Sequence, residues 1–279
     1  LSNNFEYNSY TYKYPMFADG DGNIWRQFEH QGYPMAVLTN PDGTYTHTAV
    51  YTGVAVYKEG SSGSDLSNFQ IRNTIGLEAK ALQNKLTFKG DFTYSKTSQE
   101  ETRRNNYIDY SIAPGQTAHF GKSQLRKYDQ DITYYSSNIT GEYSDTFADK
   151  HDFHVLLGYN IESSSTHNLN TSRDGLLSED KPDFNLMDGL NYSITGGGSE
   201  WAFLGLFYRL SYAYDSRYLF EFNGRYDGSS RFARDNRYVF SPSVSVGYRI
   251  SEEKFFQPLR SVIDNLKIRL SYGQLPNQQ

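Results

Sequence analysis

The stretch Arg237–Ile250, RYVFSPSVSVGYRI, decides the fold, because large apolar and small polar side chains alternate along it. Successive side chains of a β-strand point to opposite faces, so the alternation predicts a strand with one apolar and one polar face. Tyr238 and Phe240 stand near one end and Tyr248 near the other. Ten residues at about 3.3 Å each, tilted by about 45°, rise roughly 23 Å, which matches the apolar band of a membrane β-barrel between its two aromatic belts. The alternative is cross-strand aromatic packing in a soluble sheet.

Seven further segments show the same alternation and predict a total of eight strands. They are Phe69–Ala79, Lys85–Ser95, Asp131–Tyr143, Asp152–Glu162, Leu204–Tyr214, Tyr218–Tyr226 and Leu266–Gly273. In each case one face carries mainly Leu, Ile, Val, Phe or Tyr, and the other carries polar residues. The pattern predicts an all-β protein built from antiparallel hairpins.

The connections between these strands alternate in length. The short ones are Lys80–Asn84, Ser144–His151 and Asp215–Arg217, whereas Lys96–Gln130 and Ser163–Glu200 are long and Asp227–Asn236 is moderate. This asymmetry is typical of outer-membrane barrels, which have short periplasmic turns and long external loops. Ser251–Asn265 is an exception on the short side, and it is long enough for a helical turn at Glu252–Phe256.

Composition excludes several classes of protein. The 27 Lys and Arg against 32 Asp and Glu give a net charge of −5, so no nucleic-acid partner is expected. The absence of cysteine excludes disulfide scaffolds, thiolate metal sites and thiol catalysis. The longest apolar run, Trp201–Tyr208, is much shorter than the roughly 20 residues of a spanning helix. The 25 tyrosines and only 8 prolines favour a sheet protein, and a barrel fits best because only alternate residues face lipid.

The chain divides into two parts on this interpretation. We expect residues 1–68, which contain Pro15, Pro34 and Pro41, to be an external loop region with at most one short strand, Tyr51–Tyr57. Residues 69–279 would form a β-barrel segment of four hairpins. The chain has neither an initiator methionine nor a signal peptide, so we expect it to begin inside a longer polypeptide.

No constellation for catalysis, a cofactor or a metal emerges, and we do not expect an enzyme. Asp19–Asn23 imitates the start of a calcium loop, but the loop would need Gly at Ile24 and Glu at His30. His151 and His154 are three residues apart and point to opposite faces of a strand, so they should not share a metal.

Polar and aromatic residues give weaker indications. Five arginines cluster around the last two long strands, and we expect them mainly to form salt bridges with Glu221, Asp227 and Asp235. They are Arg225, Arg231, Arg234, Arg237 and Arg249. Tyr192 and Trp201 could stack on a sugar, although packing against other aromatic residues is the more ordinary role. The glycines at 196–198 predict a flexible loop tip.

Two runs near the end of the chain resemble SusC/RagA-type TonB-dependent transporters of Bacteroidetes-type bacteria. They are Tyr214–Phe255, which contains YDSRY, GRYDGSSRF and FSPSVSVGYRISEEKF, and Ile263–Gln274, IDNLKIRLSYGQ. Upstream, Asn68–Tyr94 is more loosely similar to a mid-barrel hairpin of the family. Pro242, which would remove a ladder hydrogen bond from a central strand, matches a proline of the family. The tryptophan that is common in the family at Tyr248 is absent.

The resemblance implies a partial transmembrane antiparallel β-barrel, about eight strands of a 22-stranded wall, in a Gram-negative outer membrane. It implies import of a nutrient of the oligosaccharide or peptide class, with outer-membrane lipid around the barrel. It also implies a SusD-like surface lipoprotein as a lid and energy from the TonB complex, delivered through the plug region. On this resemblance we expect the plug domain and the barrel closure to be absent from residues 1–279. Lys96–Gln130 and Ser163–Glu200 would then help to form the external mouth.

Two other functions remain open from the sequence. One is a small autonomous eight-stranded outer-membrane protein with a structural or adhesive role. The other is a soluble β-sandwich that binds carbohydrate, in which the apolar faces would pack in a core.

Overall fold

The computed structural model describes residues 1–16, 37–59, 62–178 and 181–274, and antiparallel β-structure dominates them. The strands are β1 Ser2–Pro15, β2 Gly63–Ala81, β3 Leu86–Asn105, β4 Ile108–Ala113, β5 Gln116–Phe120, β6 Gln124–Phe147, β7 His151–Asp174, β8 Tyr192–Tyr214, β9 Tyr218–Ser229, β10 Tyr238–Arg249 and β11 Lys267–Gly273. The helices are α1 His47–Tyr51 and α2 Val54–Glu59, and 3-10 turns occur at Phe184–Leu186, Arg234–Asn236, Ile250–Glu252 and Lys254–Leu259.

Within this part of the chain, nine strands form one antiparallel sheet in the order β1-β2-β3-β6-β7-β8-β9-β10-β11. β4 and β5 form a separate hairpin. Each of the eight strands predicted from alternation coincides with a strand of the large sheet, so the predicted all-β, barrel-type architecture is confirmed. β1 and β11 are the two edges of the described sheet.

The register brings the apolar sides of neighbouring strands onto the same face. Val246 of β10 lies opposite Phe220 of β9 and Leu270 of β11. Leu157 of β7 lies opposite Tyr208 of β8 and remains 59% exposed. We call this side of the sheet the apolar face and the opposite side the polar face. In the described residues no second sheet covers the apolar face, which argues against a sandwich core.

None of the described helices is both long enough and apolar enough to span a membrane.

The short connections are tight turns at one end of the sheet, which we call the short-turn end. Residues 148 and 149, and likewise 215 and 216, all have positive φ angles between +50° and +55°. The amide of Arg217 donates to the carbonyl of Tyr214 at 2.9 Å, which closes a tight turn whose two central residues have the positive φ angles that suit strand twist. The β10–β11 connection is longer and contains two 3-10 turns, so a helical turn was predicted there correctly.

At the opposite, long-loop end, the strands continue much further than predicted. β6 and β7 each have 24 residues, whereas a membrane-crossing strand needs about 9–11. The expected loops Lys96–Gln130 and Ser163–Glu200 are therefore largely strand extensions, and the first also contains the β4–β5 hairpin. The glycines at 196–198 are not a loop tip, because they pair with residues 167–169 of β7. These extensions show no sustained apolar alternation, so the pattern did not predict them.

The expectation that residues 1–68 hold at most one short strand is wrong. β1 pairs with β2 over its whole length, from Ser2 opposite Gly76 to Pro15 opposite Gly63. Its apolar residues change face along the strand, with Phe5 and Tyr7 on the apolar face and the later tyrosines on the polar face. A simple alternation test therefore finds no consistent strand pattern in β1.

The predicted strand Tyr51–Tyr57 is also wrong, because this segment belongs to two short helices. The hydroxyl of Thr46 caps α1 by accepting a hydrogen bond from the amide of Ala49 at 3.3 Å. Gly53 has φ +81°, a left-handed conformation that lets the chain turn between α1 and α2. The valines and tyrosines of this segment have a high propensity for β-structure. The Thr46 cap and the left-handed Gly53 nevertheless favour two short helices.

Candidate functional site

The polar face of the sheet carries a continuous network of hydrogen-bonding side chains. The amide of Asn138 in β6 donates to the carboxylate of Asp91 in β3 at 2.9 Å. Asn160 of β7 donates in turn to the Asn138 side chain. Such a chain across three strands leaves amide and carboxylate groups available to a polar molecule that faces this side of the sheet.

Further along the same face, opposite charges alternate. The Arg269 guanidinium lies 3.6 Å from Glu221 and donates to the hydroxyl of Ser245 at 3.0 Å. Asn223 donates to Glu221 at 2.9 Å and accepts from Arg209 at 3.0 Å. These residues come from β8, β9, β10 and β11, so the register of four strands assembles the cluster.

The predicted arginine cluster is brought together only in part. Arg225 donates to both carboxylate oxygens of Asp227, at 2.6 and 2.8 Å, which confirms one expected salt bridge. Arg231 stacks over the ring of Trp201 at 4.8 Å, and Arg237 donates to the backbone carbonyl of Phe232. Of the remaining two, Arg234 begins a 3-10 turn at the long-loop end, and Arg249 ends β10 at the short-turn end.

The salt bridge expected between this cluster and Glu221 is replaced by the Arg269 contact. Arg269 stands in β11, so its proximity to Glu221 of β9 depends on two successive strand registers. Local sequence could not reveal that pair, whereas Arg225 and Asp227 are two residues apart on the same side of one strand.

Two open grooves lie on this surface. One, of 690 Å³, is near the short-turn end and includes His154, Lys267 and Arg269. The other, of 950 Å³, lies along the middle of β8–β10 and includes Arg209 and Arg225. Their mixed charge suits a neutral polar or zwitterionic molecule better than a metal ion. No group of three or more potential metal ligands occurs in the described part of the chain.

The residues considered for metal binding are placed as follows. His151 contacts the hydroxyl of Tyr212 at 2.8 Å, and His154 contacts Glu142 at 2.7 Å. Their strand positions put the first on the apolar face and the second on the polar face, so the predicted separation of the two histidines is confirmed. Asp19–Asn23 lies outside the described residues.

The two aromatic residues considered for sugar stacking lie on opposite faces of β8. Trp201 is on the polar face, with its ring 6.4 Å from that of Tyr134. Tyr192 begins the strand opposite Arg173 and is largely exposed. The two rings therefore cannot enclose one ligand together.

Sequence reasoning missed an external module at the long-loop end, which consists of residues 37–46, α1, α2 and the β4–β5 hairpin. It has a compact apolar core of its own, made of Ala49, Val50, Ala55, Val56 and Ile108. The hairpin reverses at Pro114-Gly115, where Gly115 has φ +75°. A Pro-Gly pair is a recognisable turn signal, and it could have revealed the hairpin.

A cleft of 400 Å³ beside this core is lined by tyrosine rings and carboxylates. The hydroxyl of Tyr45 donates to Glu59 at 2.5 Å, and this hydrogen bond, together with burial and the carboxylate charge, raises the pKa of Tyr45 to about 12. Nearby, the hydroxyl and amide of Thr44 donate to Asp42 and lower the pKa of that carboxyl group. At neutral pH the Tyr45 hydroxyl therefore stays protonated and the nearby Asp42 carboxyl group is ionised.

Aromatic side chains form a belt on the apolar face at each end of the crossing region. At the short-turn end, the ring of Tyr218 stacks on Tyr248 at 5.3 Å. Toward the long-loop end, Tyr226 stacks on Tyr238 at 5.4 Å with an interplanar angle of 4°. In β9 and β10, the apolar face between these belts carries aliphatic and phenylalanine side chains such as Val246 and Phe222. This is the arrangement expected of a sheet that faces lipid.

Residues 1–275 match the family model described as TonB dependent receptor-like, beta-barrel. The chain belongs to this family. Among the receptors it resembles, TonB-dependent receptor P26 of Formosa agariphila is 30% identical over 195 residues, which is 69% of this chain and 19% of that receptor. TonB-dependent receptor SusC of Bacteroides thetaiotaomicron is 48% identical over 67 residues, which is 24% of this chain and 7% of that receptor.

A solved structure shares the fold of this TonB-dependent receptor segment. The RagAB peptide importer in its open-open state superposes with a TM-score of 0.63 at 21% identity, over 78% of this chain and 23% of that chain. The predicted resemblance to SusC/RagA-type transporters is thus confirmed. The chain spans about a fifth of the length of the P26 receptor, and the described sheet corresponds to part of such a barrel.

Proposed function

We propose that this chain forms part of the wall of a nutrient importer in the outer membrane of a Gram-negative bacterium. The cargo would be an oligosaccharide or a peptide, a SusD-like surface lipoprotein would close the external mouth, and TonB would supply energy through the plug region. The observation that carries the proposal is the two-sided sheet, with an exposed apolar face between aromatic belts and a polar, charged face opposite.

The chemistry of the polar face supports import rather than covalent catalysis. Amide, guanidinium and carboxylate groups such as Asn223, Arg225 and Glu221 offer donors and acceptors that suit the hydroxyl groups of a sugar or the backbone of a peptide. The external module adds tyrosine rings and carboxylates at the rim, where cargo would arrive first.

The location and orientation are tested by antibody binding to cells that carry the complete protein. An antibody to Asp227–Asn236, at the long-loop end, should bind intact cells. An antibody to residues 250–263, at the short-turn end, should bind only after the outer membrane is permeabilised. Binding of both antibodies to intact cells, or recovery of the protein in a soluble fraction, would contradict the proposed arrangement.

The transport role is tested by uptake of a labelled oligosaccharide set and a labelled peptide set. Removal of the complete gene should abolish uptake from one of the two sets, and a protonophore should reduce that uptake to the level of the deletion strain. A strain complemented with the gene is the control. Unchanged uptake of both sets in the deletion strain would contradict an import role for these cargo classes.

A further inference from the structure

The connection between β10 and β11 differs from the other connections at the short-turn end. In the described residues, the β2–β3, β6–β7 and β8–β9 connections at this end have three or four residues each. The β10–β11 connection runs from residue 250 to residue 266 and contains two 3-10 turns. The segment is also anchored to itself, because Arg260 donates to the backbone carbonyl of Ser251 at 2.8 Å and pairs with Glu252 at 2.6 Å. It is therefore a folded element and not merely a long turn.

Glu253 attaches this element to the lipid side of the sheet. Its carboxylate accepts hydrogen bonds from the hydroxyls of Tyr248 at 3.2 Å and Tyr218 at 3.4 Å. Both tyrosines belong to the aromatic belt on the apolar face. Arg217 completes the contact with an ion pair to Glu253 at 3.0 Å. The element thus adjoins the belt at the level where membrane meets water.

The same element exposes apolar side chains. Phe255 is 68% exposed and Val262 is 82% exposed, and Leu259 is also exposed. Phe256, by contrast, is only 5% exposed, so the element already has a buried apolar contact of its own. Exposed apolar patches of this kind mark surfaces that bind a membrane or another protein.

We propose that residues 250–263 form an interfacial membrane anchor that rests on the phospholipid leaflet at the short-turn end of the barrel. Phe255 and Leu259 enter the boundary between headgroups and acyl chains, next to the Tyr218–Tyr248 belt. Glu253 holds the element there through its contacts with Arg217 and the two tyrosine hydroxyls. This inference rests on the proposed placement of the sheet in the outer membrane.

Continuity with the apolar face favours lipid over a protein partner. A membrane that surrounds the sheet up to the Tyr218–Tyr248 belt must reach the element that is bonded to those two rings. Lys254, exposed beside Phe255, supplies a positive charge of the kind that interacts with lipid phosphates. The element therefore combines apolar, aromatic and basic groups as interfacial segments do.

Spin labels in the complete protein, reconstituted in phosphatidylethanolamine–phosphatidylglycerol vesicles, test the proposal. This chain contains no cysteine, so single-cysteine variants in a background without other cysteines can be labelled selectively. Phe255→Cys reports on the anchor, Ser216→Cys on an ordinary turn at the same end, and Leu157→Cys on the apolar face. Accessibility to oxygen, which concentrates in lipid, is compared with accessibility to a water-soluble nickel complex.

The expected result is that the label at residue 255 is accessible to oxygen and protected from nickel, as at residue 157, whereas the label at 216 is accessible to nickel. A label at 255 that is as accessible to nickel as the one at 216 would overturn the anchor while leaving the barrel placement intact. Protection from both reagents would overturn it in favour of a protein partner. Nickel access at residue 157 would instead overturn the membrane placement of the sheet.

A second variant tests how the element is held. Adding Glu253→Ala to Phe255→Cys removes the contacts with Tyr218, Tyr248 and Arg217 but leaves the exposed apolar residues in place. We expect nickel accessibility at residue 255 to rise several-fold, with residue 157 unchanged as evidence that the sheet is intact. Unchanged accessibility at residue 255 would refute the holding role assigned to Glu253.

Discussion

At the scale of single residues, the sharpest local constraint is the left-handed backbone at the two central residues of the tight turns. Ala148 has φ +50° and Asp149 has φ +53°, although residues other than glycine rarely adopt this conformation. The amide of Lys150 still donates to the carbonyl of Phe147 at 3.2 Å and closes the β6–β7 hairpin. The turn is therefore formed at an energetic cost that the long β6–β7 pairing offsets.

Ala148→Gly should stabilise the protein. Relief of the left-handed strain is worth about 1–2 kcal/mol, and the extra entropy that glycine loses on folding costs about 0.5–1 kcal/mol, so we expect a net gain of about 0.5–1 kcal/mol. Urea titration of the complete protein in detergent micelles measures the change in unfolding free energy. Ala213→Gly, in the extended strand β8, is the matched control and should destabilise the protein. A loss of stability in both variants would contradict the argument.

Pro242 shows how a residue that is unfavourable in a strand can be accommodated. Its carbonyl accepts a hydrogen bond from the amide of Gln274 at 3.1 Å, so the nitrogen of Pro242 also points toward β11. In the described part of the chain, the last pair of the β10–β11 ladder lies beside it, at Gly273 opposite Ser243. The missing N–H thus points to the end of the described β10–β11 ladder, and the pairing of Pro242 with Gly224 of β9 is kept.

At the scale of elements, the two faces of one strand predict opposite responses to charge. Leu156 and Leu157 are adjacent in β7, at the same depth, on the polar and apolar faces respectively. Leu157→Arg should cost about 2–4 kcal/mol at the membrane midplane. Leu156→Arg, which lies opposite Glu142, should cost much less. Unfolding titrations of both variants of the complete protein in lipid vesicles measure the difference, and equal losses would refute the assignment of the faces.

The same physical reasoning explains which elements the sequence could predict. Alternation is strong where one face of a strand meets lipid and the other meets water, as in Asp152–Glu162. It fades in residues 163–174, where both faces meet water, so the extension of β7 is recognisable only from its pairing with β8. β1 escaped detection because its aromatic residues change face between Tyr7 and Tyr10.

The candidate site was predictable only where its contacts are local. Arg225 and Asp227 lie two residues apart on one strand face, and their pairing followed directly from the sequence. Arg269 and Glu221 belong to strands that are not neighbours, and the external module joins residues near 50 to residues near 110. Contacts of this kind depend on the register of the whole sheet.

At the scale of the whole molecule, the described sheet has a large exposed apolar face and two edge strands, β1 and β11, with free hydrogen-bonding groups. Exposed edges and apolar surface promote association between chains. The 279-residue chain expressed alone should therefore aggregate without detergent. Size-exclusion chromatography with light scattering tests this, and the same chain in detergent is the control. A monodisperse, β-rich monomer in the absence of detergent would show that the apolar face is covered in some other way.

The long β6–β7–β8 ribbon also has a mechanical consequence. About a dozen residues of β7 lie beyond the length needed to cross the membrane, and at about 3.3 Å each with a tilt near 45° they reach roughly 30 Å outward. Backbone hydrogen bonds join the three strands along this whole extension. Near its tip, Arg173 of β7 still pairs with Leu125 of β6 and with Tyr192 of β8. The ribbon is therefore a stiff arm that is fixed at the barrel wall. A molecule that pulls on its tip exerts a torque on the wall instead of bending the ribbon.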